Sequence, residues 1–167
     1  SNTNLHVNDI YYHHPTGKVF IGTFQEGVYV YDTILQQIKP LENELKDITI
    51  NCIRYFNENE ILIGTDGTGV YKINAKSLQT EPYIVADYTS YNAMNGNNIS
   101  DIYIDNEKRI WMANYPFGIT VRDDRYPRYK WIKHSKKNPQ SLVNNQVNAI
   151  LEDMEGDLWF ATNNGVS

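Results

Sequence analysis

The chain has 167 residues, with 15 Lys and Arg against 20 Asp and Glu, and the resulting net charge of −5 supplies no global field for nucleic acid or an anionic membrane. A hydrophobic fraction of 41% with charged residues at 21% is enough apolar material for one domain-sized core and excludes a disordered chain. No apolar run reaches the roughly 18 residues of a membrane span, and the single cysteine, Cys52, excludes an internal disulfide and any cysteine-rich zinc site.

The 13 Tyr, 5 Phe and 3 Trp join many β-branched residues, a mixture that suits pleated, half-buried surfaces and predicts an all-β chain. Four segments then repeat one order of events: an apolar run, a polar turn, a second apolar run ending in a small residue, and a glycine leading a third run. The first copy reads Leu5-His-Val-Asn-Asp-Ile10, Gly17-Lys-Val-Phe-Ile-Gly-Thr23 and Gly27-Val-Tyr-Val-Tyr31. The second reads Ile50-Asn-Cys-Ile53, Glu60-Ile-Leu-Ile-Gly-Thr65 and Gly69-Val-Tyr71. The third is Ile99-Ser-Asp-Ile102, Arg109-Ile-Trp-Met-Ala-Asn114 and Gly118-Ile-Thr-Val121, and the fourth is Val147-Asn-Ala-Ile150, Asp157-Leu-Trp-Phe-Ala-Thr162 and Gly165-Val166.

The leading glycines, Gly27, Gly69, Gly118 and Gly165, are 42, 49 and 47 residues apart. A period in the forties with short strands and no 3.6-residue apolar period points to the antiparallel blades of a propeller. Strand A is predicted at 7–12, 50–56, 99–104 and 147–152, and strand B at 18–23, 60–65, 109–114 and 157–162. Strand C follows each leading glycine, and a weaker strand D lies near 36–41, 81–85 and 128–133. The expected architecture is a β-propeller fragment of about three and a half four-stranded antiparallel blades: blade 1 about 5–41, blade 2 about 48–86, blade 3 about 97–134, and a truncated blade 4 about 142–167.

The run from Asn145 to Gly165, Asn-Gln-Val-Asn-Ala-Ile-Leu-Glu-Asp-Met-Glu-Gly-Asp-Leu-Trp-Phe-Ala-Thr-Asn-Asn-Gly, resembles the two-component regulator propeller repeat, as does its lead-in Asn138-Pro-Gln-Ser-Leu142. The third copy departs from the repeat pattern at Lys108 and at Asn114-Tyr-Pro-Phe117, and the first two carry Phe20 and Leu62 in place of the tryptophan. The resemblance implies the extracytoplasmic, periplasmic part of a membrane-bound histidine kinase or hybrid two-component sensor. It also implies that the kinase and output domains lie outside this segment, and that the ligand is an oligosaccharide or polysaccharide. Neither nucleic acid nor membrane would then be contacted here. Fold alone also admits a propeller enzyme, such as a sugar lyase or lactonase, or a protein-binding scaffold.

Successive strands alternate in direction, so the B–C turns and the crossovers between blades share one end of the propeller. Ligand-binding residues are expected there: Asp66, Tyr91, Asn114, Tyr115 and Asn163, since aromatic rings stack on sugar C–H faces and amides bond hydroxyls. Residues 122–137 carry a net +5 interleaved with aromatics, read either as an acidic-glycan patch or as an outermost strand protected from pairing by its lysines. His13-His14 is expected in a solvated turn, Thr65–Gly69 in a hairpin turn and Cys52 in inert packing. No nucleophile, metal or cofactor pattern is present. Finally, an apolar blade face left wet forfeits on the order of 10 kcal/mol, so the open arc is expected to be covered by missing blades or by self-association, most simply as a homodimer.

Overall fold

The computed structural model describes residues 4–87, 89, 93–126 and 128–167. Sheet 1 is β1 (Val7–His13), β2 (Lys18–Thr23), β3 (Val28–Asp32) and β4 (Gln37–Pro40); sheet 2 is β5 (Ile50–Asn57), β6 (Glu60–Thr65), β7 (Val70–Asn74) and β8 (Thr80–Ile84). Sheet 3 is β9 (Ile99–Ile104), β10 (Ile110–Asn114), β11 (Gly118–Asp123) and β12 (Arg128–Ile132), and sheet 4 is the three-stranded β13 (Val147–Glu152), β14 (Leu158–Thr162) and β15 (Gly165–Val166). Every pairing is antiparallel between consecutive strands. The fold is an all-β propeller arc, and strands A to D fall where the repeat places them. Its one helical element is a 3-10 turn at His14–Thr16 among the described residues.

The first strands β1, β5, β9 and β13 lie side by side and form the inner wall. Each sheet is covered on both faces only where it has two neighbours. Phe20, Val28 and Val30 of sheet 1 pack on Ile53, Ile61, Ile63 and Ile73 of sheet 2. The other face of sheet 2, with Cys52, Leu62 and Val70, meets Ile99, Ile102, Ile110 and Met112 of sheet 3. Ala113, Ile119 and Val121 then meet Val147, Ile150 and Phe160 of sheet 4. Consecutive residues of one strand thus enter different cores, which is why the apolar runs read as continuous rather than alternating.

The small residue ending strand B has a steric cause. A Cβ on Gly22 would lie 2.6 Å from Cγ2 of Ile50, and one on Gly64 would lie 2.5 Å from Sγ of Cys52 and 3.0 Å from Cγ2 of Ile99. The leading glycines have two causes, shown by Gly69 and Gly118. Their φ angles are +92° and +89°, and a Cβ would strike the carbonyl oxygens of Ile84 and Ile132 at 2.5 and 2.4 Å. Both amides donate to a crossover carbonyl, Gly69 N to Asn97 O at 2.9 Å and Gly118 N to Asn145 O at 2.9 Å. The same asparagines take a second backbone amide on their side chains, Ala86 N and His134 N, and so fasten strand D to the next blade's entry.

His13 departs from expectation. It closes β1 and is fully buried, edge-on to Phe20 at 6.5 Å, with Nδ1 at 3.0 Å from Thr16 Oγ1. The strand simply runs one residue further than the turn signal of His14-Pro15 suggests. Burial holds its pKa below the ordinary imidazole value.

Candidate functional site

Each inner strand begins with the same irregularity. Its pairing slips by one residue between Val7 and Asp9, between Ile50 and Cys52, and between Val147 and Ala149, while Ile99 and Asp101 pair with Asn114 and Ala113 and leave Ser100 in the equivalent place. A β-bulge leaves its extra residue outside the ladder and re-aims the side chain. The four bulged residues, Asn8, Asn51, Ser100 and Asn148, are polar and occupy the same rim of the inner wall.

They line one open cleft of about 440 Å³ together with Asp66, Asn98 and Tyr115. That volume is within the range of small-ligand sites. Amide hydrogen bonds hold the rim. Asn8 Nδ2 donates to Ile50 O and Asn51 Nδ2 to Ile99 O, both at 3.0 Å, so each ties its own blade to the next. Asn98 Nδ2 donates to Asp66 Oδ1 at 2.6 Å. A relay crosses blades 3 and 4: Asn148 Nδ2 to Asn163 Oδ1 at 2.7 Å, Asn163 Nδ2 to Gln146 Oε1 at 2.9 Å, and Gln146 Nε2 to Tyr115 OH at 3.0 Å.

Of the expected site residues, Asp66 and Tyr115 therefore line the cleft, and Asn163 joins it through Gln146 and Asn148. Asn114 is fully buried and donates from Nδ2 to Gly96 O at 2.9 Å, so it holds the crossover rather than facing solvent. The threonines at its position in the other blades instead donate to the leading glycine, Thr23 to Gly27 O, Thr65 to Gly69 O and Thr162 to Gly165 O, each at 2.7 Å. Tyr91 lies outside the described residues. The bulged residues were missed by reasoning that looked only at turns. Their signal was present as Val-Asn, Ile-Asn, Ile-Ser and Val-Asn at one repeat offset inside an apolar strand.

Below the rim, the inner wall carries a charged clasp. Arg54 of β5 reaches Asp9 Oδ2 of β1 at 2.7 Å with one nitrogen and Asp101 Oδ1 of β9 at 2.5 Å with the other. Burial opposes the guanidinium charge, but Asp101 and Asp9 outweigh it and leave its pKa raised. Asp9 Oδ2 also accepts Ile53 N, and Asp101 Oδ2 accepts Ile150 N, both at 2.8 Å. Each carboxylate thereby reaches the following blade. Beside the clasp, desolvation first and Asp101 second push the buried Cys52 thiol up to about 12, consistent with inert packing.

Two other features are less suited to a ligand. A second cleft, about 530 Å³, lies at the β5–β6 hairpin around Asn57, Glu58, Asn59, Glu60 and Asn74, drawing on one sheet alone, with Asn57 already bonded to Glu60 Oε2 at 2.8 Å. Two arginines of the basic segment are committed: Arg122 pairs with Asp124 at 2.5 Å and Arg125 with Asp123 and Glu107 at 2.8 and 2.9 Å. Lys130 sits on β12, the outermost strand of its sheet, where lysine discourages edge pairing.

Comparison with known proteins agrees with this architecture. The family model for the Pep3/Vps18/deep orange beta-propeller domain matches residues 1–154. "Histidine kinase P4" of Formosa agariphila is 27% identical over 106 residues, 57% of this chain and 7% of that protein. The extracellular domain of a hybrid two component system from B. thetaiotaomicron superposes with a TM-score of 0.71 at 20% identity, covering 90% of this chain and 19% of that one. An auxiliary nutrient binding protein from Bacteroides thetaiotaomicron gives 0.68 at 8% identity, covering 94% and 36%. The chain thus spans a small part of the length of these three proteins. It belongs to the Pep3/Vps18/deep orange beta-propeller domain family.

Proposed function

We propose that this propeller segment is a non-catalytic, ligand-sensing part of an extracytoplasmic, periplasmic two-component sensor, and that its ligand is an oligosaccharide held on the rim of the inner wall. One observation carries the reading: four successive blades each present one bulged polar residue, Asn8, Asn51, Ser100 and Asn148, to a single cleft that also holds Tyr115 and Asp66. Amides and a hydroxyl supply donors and acceptors for sugar hydroxyls, and the Tyr115 ring supplies a stacking face. The carboxylates of the inner wall, Asp9 and Asp101, are spent on Arg54 and on backbone amides, which favours binding over acid–base chemistry. A ligand that touches several blades favours one arrangement of the sensor by differential affinity and relays that bias to a histidine kinase elsewhere in the longer protein.

The test is a thermal-shift and calorimetric screen against neutral and acidic oligosaccharides. A true ligand at 100 times its Kd raises stability by about 2.7 kcal/mol. Tyr115→Ala is expected to abolish that shift while leaving the unliganded melt nearly unchanged. No shift with any member of the panel overturns the proposal.

A further inference from the structure

The geometry points to a further binding site on the inner wall, on the far side of the Arg54 clasp from the polar rim, whose ligand is a small aromatic carboxylate. A cleft of about 280 Å³ opens there between the second halves of β5 and β9, where both strands approach their hairpins, and Ile150 of β13 borders it. That volume is just under the roughly 300 Å³ at which drug-sized sites begin, so it suits a ring with one substituent. The cleft owes nothing to an outer face. Sheets 2 and 3, which supply most of its lining, each have a neighbour on both faces, and Ile150 packs at the junction of sheets 3 and 4. The inner wall borders the axis of the propeller, which is a channel whatever the number of blades.

Its chemistry is unlike that of the rim. The rim cleft mixes amides, a hydroxyl and a carboxylate, whereas the only polar side chains here are Arg54, Tyr55, Tyr103 and Lys108, with no carboxylate or amide among the lining. Asp9 and Asp101 do not line it; their oxygens are turned to Arg54 and to the amides of Ile10, Ile53, Ile102 and Ile150. The Tyr103 hydroxyl is taken by Glu152. The Tyr55 hydroxyl and the Lys108 ammonium have no partner among the described residues, and Tyr55 is 47% exposed. Arg54 spends three N–H groups on Asp9, the Ile53 carbonyl and Asp101, which leaves two of the five that a guanidinium carries. The free polar groups are thus almost all donors, and two of them are cationic. Such a set asks for an anionic acceptor, and a planar carboxylate matches the guanidinium fork. The remaining lining is apolar or aromatic: Ile102, Ile104 and Ile150 with the rings of Tyr55, Phe56 and Tyr103. Rings of this kind favour a flat ligand body.

Lys108 supplies a second line of argument. It adopts a φ of +65° at the hairpin position where blade 4 has Gly156 at +88°. A lysine in that left-handed region crowds its own backbone, which a glycine would not. Strain of this kind persists where the side chain serves a site. The charges around it are already matched without it, since Arg109 pairs with Asp105 and Glu107, and Arg125 with Glu107 and Asp123. Lys108 is therefore an uncommitted cation held at the hairpin end of an apolar cleft.

The experiment is calorimetric titration of the chain with benzoate and naphthoate. Benzamide, which keeps the ring without the charge, and acetate, which keeps the charge without the ring, are the controls, and amide NMR follows the benzoate titration. The expected result is saturable binding of both aromatic carboxylates, with benzamide and acetate each at least about tenfold weaker, the scale of one charge-assisted bond lost. Amide shifts should gather at residues 54–56 and 102–108. Lys108→Gly removes the cation and relieves the backbone, so it is expected to weaken benzoate about tenfold while the melting temperature holds or rises. Lys108→Gln, which keeps most of the side chain without its charge, should weaken benzoate to the same degree. Absence of saturable binding by either aromatic carboxylate overturns the inference, as does benzamide binding as tightly as benzoate. An unchanged benzoate Kd in Lys108→Gly and Lys108→Gln overturns it too. Shifts gathered instead on Asn51, Ser100 and Asn148 would put the carboxylate on the rim and also overturn it, whereas failure of the oligosaccharide screen leaves this site untouched.

Discussion

Blades 3 and 4 solve the A–B hairpin differently from blades 1 and 2. In blade 3, Asp105 accepts Glu107 N and Arg109 N at 2.9 Å and the Trp111 indole Nε1 at 2.8 Å. In blade 4, Asp153 accepts Glu155 N and Asp157 N at 2.9 Å and the Trp159 indole at 2.6 Å. Blades 1 and 2 fill the same slot with Phe20 and Leu62, both fully buried, and carry His13 and Asn57 at the place of that aspartate. The indole brings an N–H that needs an acceptor, and Asp provides it while organising the turn. Phe and Leu bring no donor, so the Asp is dispensable. Tryptophan and aspartate are therefore one device in two pieces, and the blades hold both or neither.

The largest effect expected from breaking this comparison is on the purely apolar side. Leu62→Ala opens a cavity between blades 2 and 3 and is expected to cost about 2–5 kcal/mol in urea unfolding. Asp105→Ala is expected to cost about 1–3 kcal/mol, because it strands the indole and two hairpin amides. A double-mutant cycle with Trp111→Phe should return a coupling of about 1 kcal/mol, and a coupling near zero would show the pair to be independent. The equivalent pair in blade 4 is exposed and is expected to couple less.

Acid should separate the two halves. Burial keeps His13 neutral in the folded state, so the folded chain binds fewer protons than the unfolded one and stability declines as pH falls from the unfolded imidazole value of about 6.5. For Asp105, burial raises the pKa but bonds from Trp111 and Arg109 prevail and lower it, so its contribution is present above the unfolded value of about 3.9 and is lost as pH falls through the folded one. Melts of His13→Phe should lack the decline between pH 6.5 and 5 and keep the acid loss below about 4. A parallel decline in both proteins would remove His13 as its source. The smallest effect is kinetic: with its thiol at about 12, Cys52 is expected to resist iodoacetamide at pH 8 until the chain is unfolded.

Much of this was legible beforehand because the repeat superimposes independent signals. Leading glycines such as Gly69 and Gly118 fixed the turns, and small residues such as Gly22 and Gly64 fixed the depth of packing. What stayed hidden is relational. Nothing local in Asn51 says that a bulge turns it to the rim, and nothing in Asp9, Arg54 or Asp101 says that residues 45 and 47 positions apart meet. Asn114 was misplaced for the opposite reason, since a polar residue next to a turn reads as accessible while tertiary packing buries its amide on Gly96 O.

The Asp9–Arg54–Asp101 clasp makes three blades one electrostatic unit although the sequence repeats with every blade. One cation serves the carboxylates on either side of it, so loss of the arginine blade alone would set two acidic blades next to each other with no counter-charge between them. A single blade is therefore not a piece that can leave this wall without changing its charge.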